Sequence, residues 1–128
     1  MLWMKSLETG IVTIDEQHKK LFEQVDLLLD KENVNRHKEI IDFLDNYIAN
    51  HFSGEQKMHR EAKYPKANEH KKMHDDYIVV FKKMKDKYLK EGAAISINME
   101  INKTVVGWLR DHIMVHDKEF AAYRKSLS

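Results

Sequence analysis

Eight of the 128 residues are histidine, and five of these interrupt stripes of apolar residues spaced three and four apart. A stripe at positions 14, 18, 21 and 25 contains His18, and one at 41, 44, 48, 51, 55 and 58 contains His51 and Glu55. A third, at 70, 74, 77, 81, 84 and 88, begins with His70 and His74, and a fourth, at 101, 105, 108 and 112, ends at His112. Five imidazoles and a carboxylate on core-facing stripes would each cost several kcal/mol if buried alone. Something must compensate them, and a metal does so directly. Residues four apart on a helix share a face, so His51 with Glu55 and His70 with His74 can each address one centre. Cysteine is absent, so the donors are nitrogen and oxygen. Such a set suits iron, zinc, copper or manganese, and disfavours Cu(I) and iron–sulfur clusters. More than four donors, with carboxylate among them and so able to bridge, points to two ions. The Glu-x-x-His pairs of ferritin-like di-iron bundles do not occur here.

The elements that must hold these residues are helices. After an extended N-terminal stretch around Trp3, the run Thr13 to Glu16 reads as a capping box opening a first helix that ends before the polar segment Lys31–Asn35. A second helix is expected from about Arg36 to Glu61. A third follows Pro65, placed in its first turn, and runs to a break at Glu91 and Gly92. A fourth spans about Ile97 to Arg124. The reading is all-α: one domain over 1–128, an antiparallel up-down-up-down four-helix bundle with an extended N-terminal segment. In that topology the start of the first helix, the second half of the second, the start of the third and the end of the fourth lie at one end. His18, His51 with Glu55, His70 with His74, and His112 occupy those four places. Spacing offers His116, four after His112, as a further donor.

Composition removes other classes. With 22 basic and 21 acidic residues the net charge is +1, which argues against nucleic acid or an anionic membrane as partner. No apolar run approaches the roughly 18 residues of a membrane span, and the start lacks an apolar signal core, so the expected location is cytoplasmic.

With these residues in view, the chain resembles the hemerythrin-like family, in its bacterial single-domain bacteriohemerythrin group. The match is carried by Trp3, Gly10 and Ile11, the run Ile14 to Phe22, His51 with Phe52 and Glu55, and Tyr64 with Pro65. It continues through His70 and His74, then Trp108, Leu109, His112 and Ile113 with Asp117. The resemblance implies two non-haem iron ions, Fe2+ or Fe3+, that bind O2 reversibly. It implies that His70, His74 and His112 hold one iron and His18 and His51 the other. Glu55 and Asp117 would bridge them with an oxo or hydroxo group, and azide or NO are possible ligands. Asp117 thereby displaces His116, and charge agrees: a second carboxylate lowers the positive charge of two Fe(II) where a further imidazole would not. By the same resemblance Leu109 lines an O2 pocket. Trp108, Phe22 and Ile48 are expected to complete that pocket as apolar residues that keep the site dry. His116 then becomes a neighbouring or solvent-facing group.

The two remaining histidines read as bland. His59 reads first as solvated, with an accessory role beside the metal or in iron uptake as alternatives; His37 reads as surface. The expected function is an oxygen-binding protein for storage, delivery or scavenging, not an enzyme. The rivals are an O2- or redox-sensing module, for which no transmitter segment is evident, a di-iron peroxidase or NO-handling enzyme, and a structural two-zinc bundle.

Overall fold

The computed structural model describes residues 3–91 and 100–127, and shows helices and no strand among them. Helix α1 spans Val12–Leu29, α2 His37–Glu61 and α3 Ala67–Glu91. Helix α4 covers 100–126. The expected beginning of the fourth helix at Ile97, and the break at Gly92, lie outside the described residues. None of the described helices is long and apolar enough to cross a membrane.

The helices alternate in direction. His37, which opens α2, meets Tyr88 in the last turns of α3, whereas the end of α2 adjoins the start of α3. The stripes on α1 and α3 are buried as the periodicity requires: Ile14, His18, Leu21 and Val25 on one, and His70, His74, Tyr77, Phe81, Met84 and Tyr88 on the other. Each fully buried Leu, Ile or Phe contributes about 1.5–3 kcal/mol by leaving water.

Helix α1 is not opened by a box at Thr13. Its N-cap is Ile11, and no side chain of that residue caps it. Asp15 reaches back instead, accepting from the Thr9 N–H and hydroxyl at 2.8 Å and from the Gly10 N–H at 3.1 Å. The Thr9 hydroxyl oxygen in turn accepts from the Ile11 N–H. The chain can fold back this tightly because Gly10 has φ +91, a conformation that costs glycine nothing. The N-terminal segment ahead of this cap holds one 3-10 turn, Lys5–Leu7. Leu7 is buried, Trp3 packs against the core with the Lys19 ammonium 4.6 Å from its ring, and Lys118 of α4 donates to the Ser6 carbonyl.

The α2–α3 connection is a Schellman turn. Lys63 adopts φ 54, its N–H donates to the Arg60 carbonyl, and the Tyr64 N–H donates to the His59 carbonyl at 2.9 Å. Pro65 lies in the turn that follows, and regular helix begins at Ala67 rather than at the proline.

Helix α4 is not a uniform α-helix. The stretches Asn102–Gly107 and Ile113–Asp117 are π-helical, with α-helical turns at Trp108–His112 and Lys118–Ser126. Its buried residues include Ile101, Val105, Leu109, Ile113 and Asp117, each four after the last. On a pure α-helix a strict step of four drifts by about 40° each time. The wider π turns absorb that drift and keep the series facing inward.

Two corrections concern histidines expected at the surface. His37 is 3% exposed and His59 is wholly buried. His37 lies four before Ile41 and three before Ile40, squarely on the inner stripe, and hydrogen-bonds Tyr88. Beyond Glu55 the α2 stripe takes the four-residue step to His59 rather than the three-residue step to Met58, which is half-buried.

Candidate metal centre

The bundle's apolar interior divides into two clusters. The larger fills most of its length, and a smaller one, built on Ile14, Tyr64 and Phe120 with Met58 and Tyr123 at its margin, closes one end. Between them lies a layer of buried polar residues: His18, His51, Glu55, His59, His70, His74, His112 and Asp117. All seven residues named above as metal donors are in this layer.

Their donor atoms form two compact groups, one of Glu55, His70, His74, His112 and Asp117 and one of His18, His51 and Glu55. In the first, the His70 Nε2 lies 2.7 Å from that of His112, 3.0 Å from Glu55 Oε1 and 3.1 Å from Asp117 Oδ1. The His74 Nε2 is 3.1 Å from the His112 Nε2. Two atoms each about 2.1 Å from one ion, at right angles around it, stand about 3.0 Å apart. The spacing fits donors gathered around a single ion. The carboxylates link the groups. Asp117 places Oδ1 3.2 Å from His112 Nε2 and Oδ2 3.2 Å from His18 Nε2. Glu55 places Oε1 beside His70 and Oε2 3.5 Å from His51 Nε2. Despite these close approaches, both oxygens of each carboxylate and the His18 Nε2 are buried without a partner in hydrogen-bond geometry. They crowd around shared centres rather than pairing with each other, and the donor set therefore fits a pair of divalent ions.

The π turn explains why Asp117, and not His116, joins the layer. In an α-helix a five-residue step leaves side chains about 140° apart, which would aim a residue at 117 away from His112. A π turn closes after about five residues, so Ile113–Asp117 returns Asp117 to the face of His112. His116 is half-exposed, its ring 5.4 Å from that of His112 and 6.2 Å from that of His70, beside clefts that reach those two residues from outside.

Several neighbours hold the imidazoles. Gln17, which the periodicity did not single out, accepts from the His51 Nδ1–H at 2.6 Å, fixing the tautomer that leaves Nε2 free for the site. Its position one residue before His18 was the available clue. Phe52 stacks flat on His74, with ring centroids 3.8 Å apart, and Trp108 stacks on His112 at 4.4 Å. Phe22, Ile48 and Leu109 are buried in the larger cluster, each within one helical turn of His18, His51 and His112 respectively. Trp108 is half-buried and also borders the outer groove between α3 and α4 with Met73 and Val115.

Burial sets the protonation of the metal-free site. Desolvation, reinforced by neighbouring imidazoles, lowers His51 to about 3 and His59 to about 4, and lowers His74 and His112 as well. These rings are neutral at physiological pH, the form that binds metal. His70 differs: burial lowers it, but contacts with Asp117 and Glu55 prevail and raise it to about 9. Burial and the Asp117 charge hold Glu55 well above the usual carboxylate range. Asp117 is held well below its range despite burial, by the imidazoles of His112, His18 and His70.

Groups lowered in the fold stabilise it above their unfolded value of about 6.5, and that contribution is lost as pH falls toward 4 and 3. His70 is protonated in the fold over that window but in the unfolded chain only below about 6.5, so it and Glu55 oppose the trend by at most one proton each. The thermal midpoint of chelator-treated protein should therefore fall steeply from pH 6.5 to 4.5. A midpoint flat over this range would contradict the buried neutral imidazoles.

Comparison with known proteins places this arrangement. A family model described as the hemerythrin HHE cation binding domain matches residues 9–123. A bacteriohemerythrin of Pseudomonas paraeruginosa is 30% identical over an alignment covering 100% of this chain and 84% of its own length. One from Clostridium acetobutylicum is 30% identical, covering 93% and 97%. A myohemerythrin of Theromyzon tessulatum is 28% identical, covering 92% and 88%. A crystal structure of wild-type hemerythrin superposes with TM-score 0.83 at 26% identity over 97% of each chain.

Proposed function

The chain belongs to the hemerythrin HHE cation-binding family, and on that premise we propose that it is an oxygen-binding protein, not an enzyme, that takes up O2 reversibly at a non-haem di-iron centre. One observation carries the reading. Three imidazoles (His70, His74, His112) and two (His18, His51) form separate sets, and each of two buried carboxylates reaches both. The first set would hold one iron and the second set the other, with Glu55 and Asp117 shared. The unequal count leaves the two-histidine side with room for a small ligand. When bound, the iron pair supplies the electrons and the coordination position that O2 requires.

The rest is the work of this chain's own residues. Gln17 orients His51, and the neutral imidazoles give the centre fewer anionic donors than a carboxylate-rich site would. Phe22, Ile48 and Leu109 place apolar surface one turn inward of the donors, and the end cluster of Ile14, Tyr64 and Phe120 seals the opposite side. Together they exclude the water that would convert a reversible binding site into an oxidising one. Storage or delivery of O2 in the cytoplasm by a single domain is the role we propose.

The test is to load the metal-free chain with Fe(II) without air, measure iron per chain, and record visible spectra before O2, under O2 and after its removal. A spectrum that returns to the reduced form on removing O2 is the expected result. A spectrum that never returns, or peroxide turnover well above the rate of autoxidation, would overturn it.

A further inference from the structure

His59 is the one histidine of the buried polar layer that is not among the seven donors. It occupies the same face of α2 as His51 and Glu55, in a ladder with steps of four, so Glu55 has an imidazole one turn before it and another one turn after. The His51 Nε2 lies 3.5 Å from Glu55 Oε2 and the His59 Nε2 lies 3.6 Å from Glu55 Oε1. His59 nevertheless belongs to neither compact donor group. Its ring is wedged edge-on against Phe120 at 4.3 Å, tilted against His70 at 4.5 Å, and covered by Tyr64 at 5.2 Å, which the Schellman turn places over it. Both ring nitrogens are buried, and neither has a hydrogen-bond partner.

An imidazole so enclosed costs stability, because two polar atoms leave water and gain nothing. An apolar side chain of similar volume would serve the end cluster better. The polar group facing its Nε2 is the carboxylate of Glu55. We propose that His59 is a positioning residue for that carboxylate: its Nε2–H donates to Glu55 Oε1 when the site is loaded, holding the carboxylate so that one oxygen faces each imidazole set. Gln17 orients His51, and His59 does the same for Glu55. A histidine at this step of α2 thus trades stability of the metal-free chain for affinity of the loaded one.

This inference rests on the reading of Glu55 as a shared metal donor, and the experiment separates the two. Cobalt(II) is titrated into metal-free protein in competition with a coloured chelator, and the melting of each metal-free variant is measured alongside. His59→Met keeps an unbranched, adaptable volume without a donor, and His59→Gln keeps an N–H donor near the same place. The expected result is Co(II) affinity about ten- to a hundredfold lower in His59→Met, a metal-free melting midpoint no lower than the parent's, and affinity close to the parent's in His59→Gln. Unchanged affinity in His59→Met would overturn the proposal. So would a lowered midpoint or failure to fold that His59→Gln does not correct, since that marks a packing role alone. Glu55→Gln is the control. If it binds Co(II) as the parent does, the assignment of Glu55 itself falls; if it binds weakly while His59→Met does not, only the role of His59 falls.

Discussion

Replacing Asp117 by asparagine is expected to leave a folded chain that cannot hold two metal ions together. Asparagine preserves the volume and one carbonyl oxygen, so the π turn and its packing survive. What it removes is a charge in a layer with almost no solvent. Asp117 Oδ1 stands 3.1 and 3.2 Å from the Nε2 atoms of His70 and His112, and Oδ2 stands 3.2 Å from that of His18. Two divalent ions bring four positive charges, which Glu55 and Asp117 reduce to two; without Asp117 three remain buried. Removing one partner from a buried charge pair costs about 3–5 kcal/mol, which corresponds to hundreds- to thousands-fold in affinity. Metal analysis should show one ion or fewer per chain, with far-ultraviolet circular dichroism unchanged. Full metal content in Asp117→Asn would refute the shared role. His116→Gln is the useful contrast: His116 lies on the outer side of the π turn, and its loss should leave metal content as it was.

Phe52→Ala should produce the largest loss of stability of any single change near the site. The ring is buried in the main cluster, stacks on His74 with an interplanar angle of 2°, and meets the edges of Tyr77 and Trp108 at 6.0 Å. Truncating such a phenylalanine costs about 3–5 kcal/mol through lost burial and the cavity that remains. For a domain of this size that is a drop of roughly 10–20 °C in the melting midpoint. The cavity would open beside imidazoles and carboxylates, so it is polar enough at one wall to admit water. The iron-loaded variant should then pass to its oxidised form faster than the parent under O2. Phe52→Leu, which fills most of the space, should recover most of the stability. A loss below about 1 kcal/mol in Phe52→Ala would show that the stack on His74 is not part of the core.

The two variants probe different physics, charge in one case and packing in the other, yet both act on residues legible from the sequence. Four stripes of apolar residues at three- and four-residue spacing demand four helices, and short connections demand that they alternate. Five histidines and Glu55 break those stripes at positions that alternation brings to one end. That inference needs only the helical period and the cost of burying polar groups, and His18, His51, Glu55, His70, His74 and His112 all lie where it puts them.

The departures share one cause. Spacing alone is read on an ideal helix, whereas the inward face of a real one depends on how wide each turn is and on what presses against it. On that ideal helix His116 lies one turn from His112 and Asp117 faces away. Family resemblance and charge favoured Asp117, but only the π turn of Ile113–Asp117 supplies the geometry. Met58 looks like the next core residue after Glu55 because it is apolar, yet the next inward position is His59, over which Tyr64 and Phe120 close. His37 looks exposed because it begins a helix, yet Tyr88 from α3 buries it. Asp15, rather than a box at Thr13, ties the start of α1 to the chain before it, because Gly10 lets that chain fold back far enough for Thr9 to meet it. The bundle, the polar layer and its place at one end follow from helical period and composition, both of which are legible in the chain before it folds. Tertiary structure decided which neighbours of that layer turn inward, because turn width and the enclosing side chains come from helices distant in sequence.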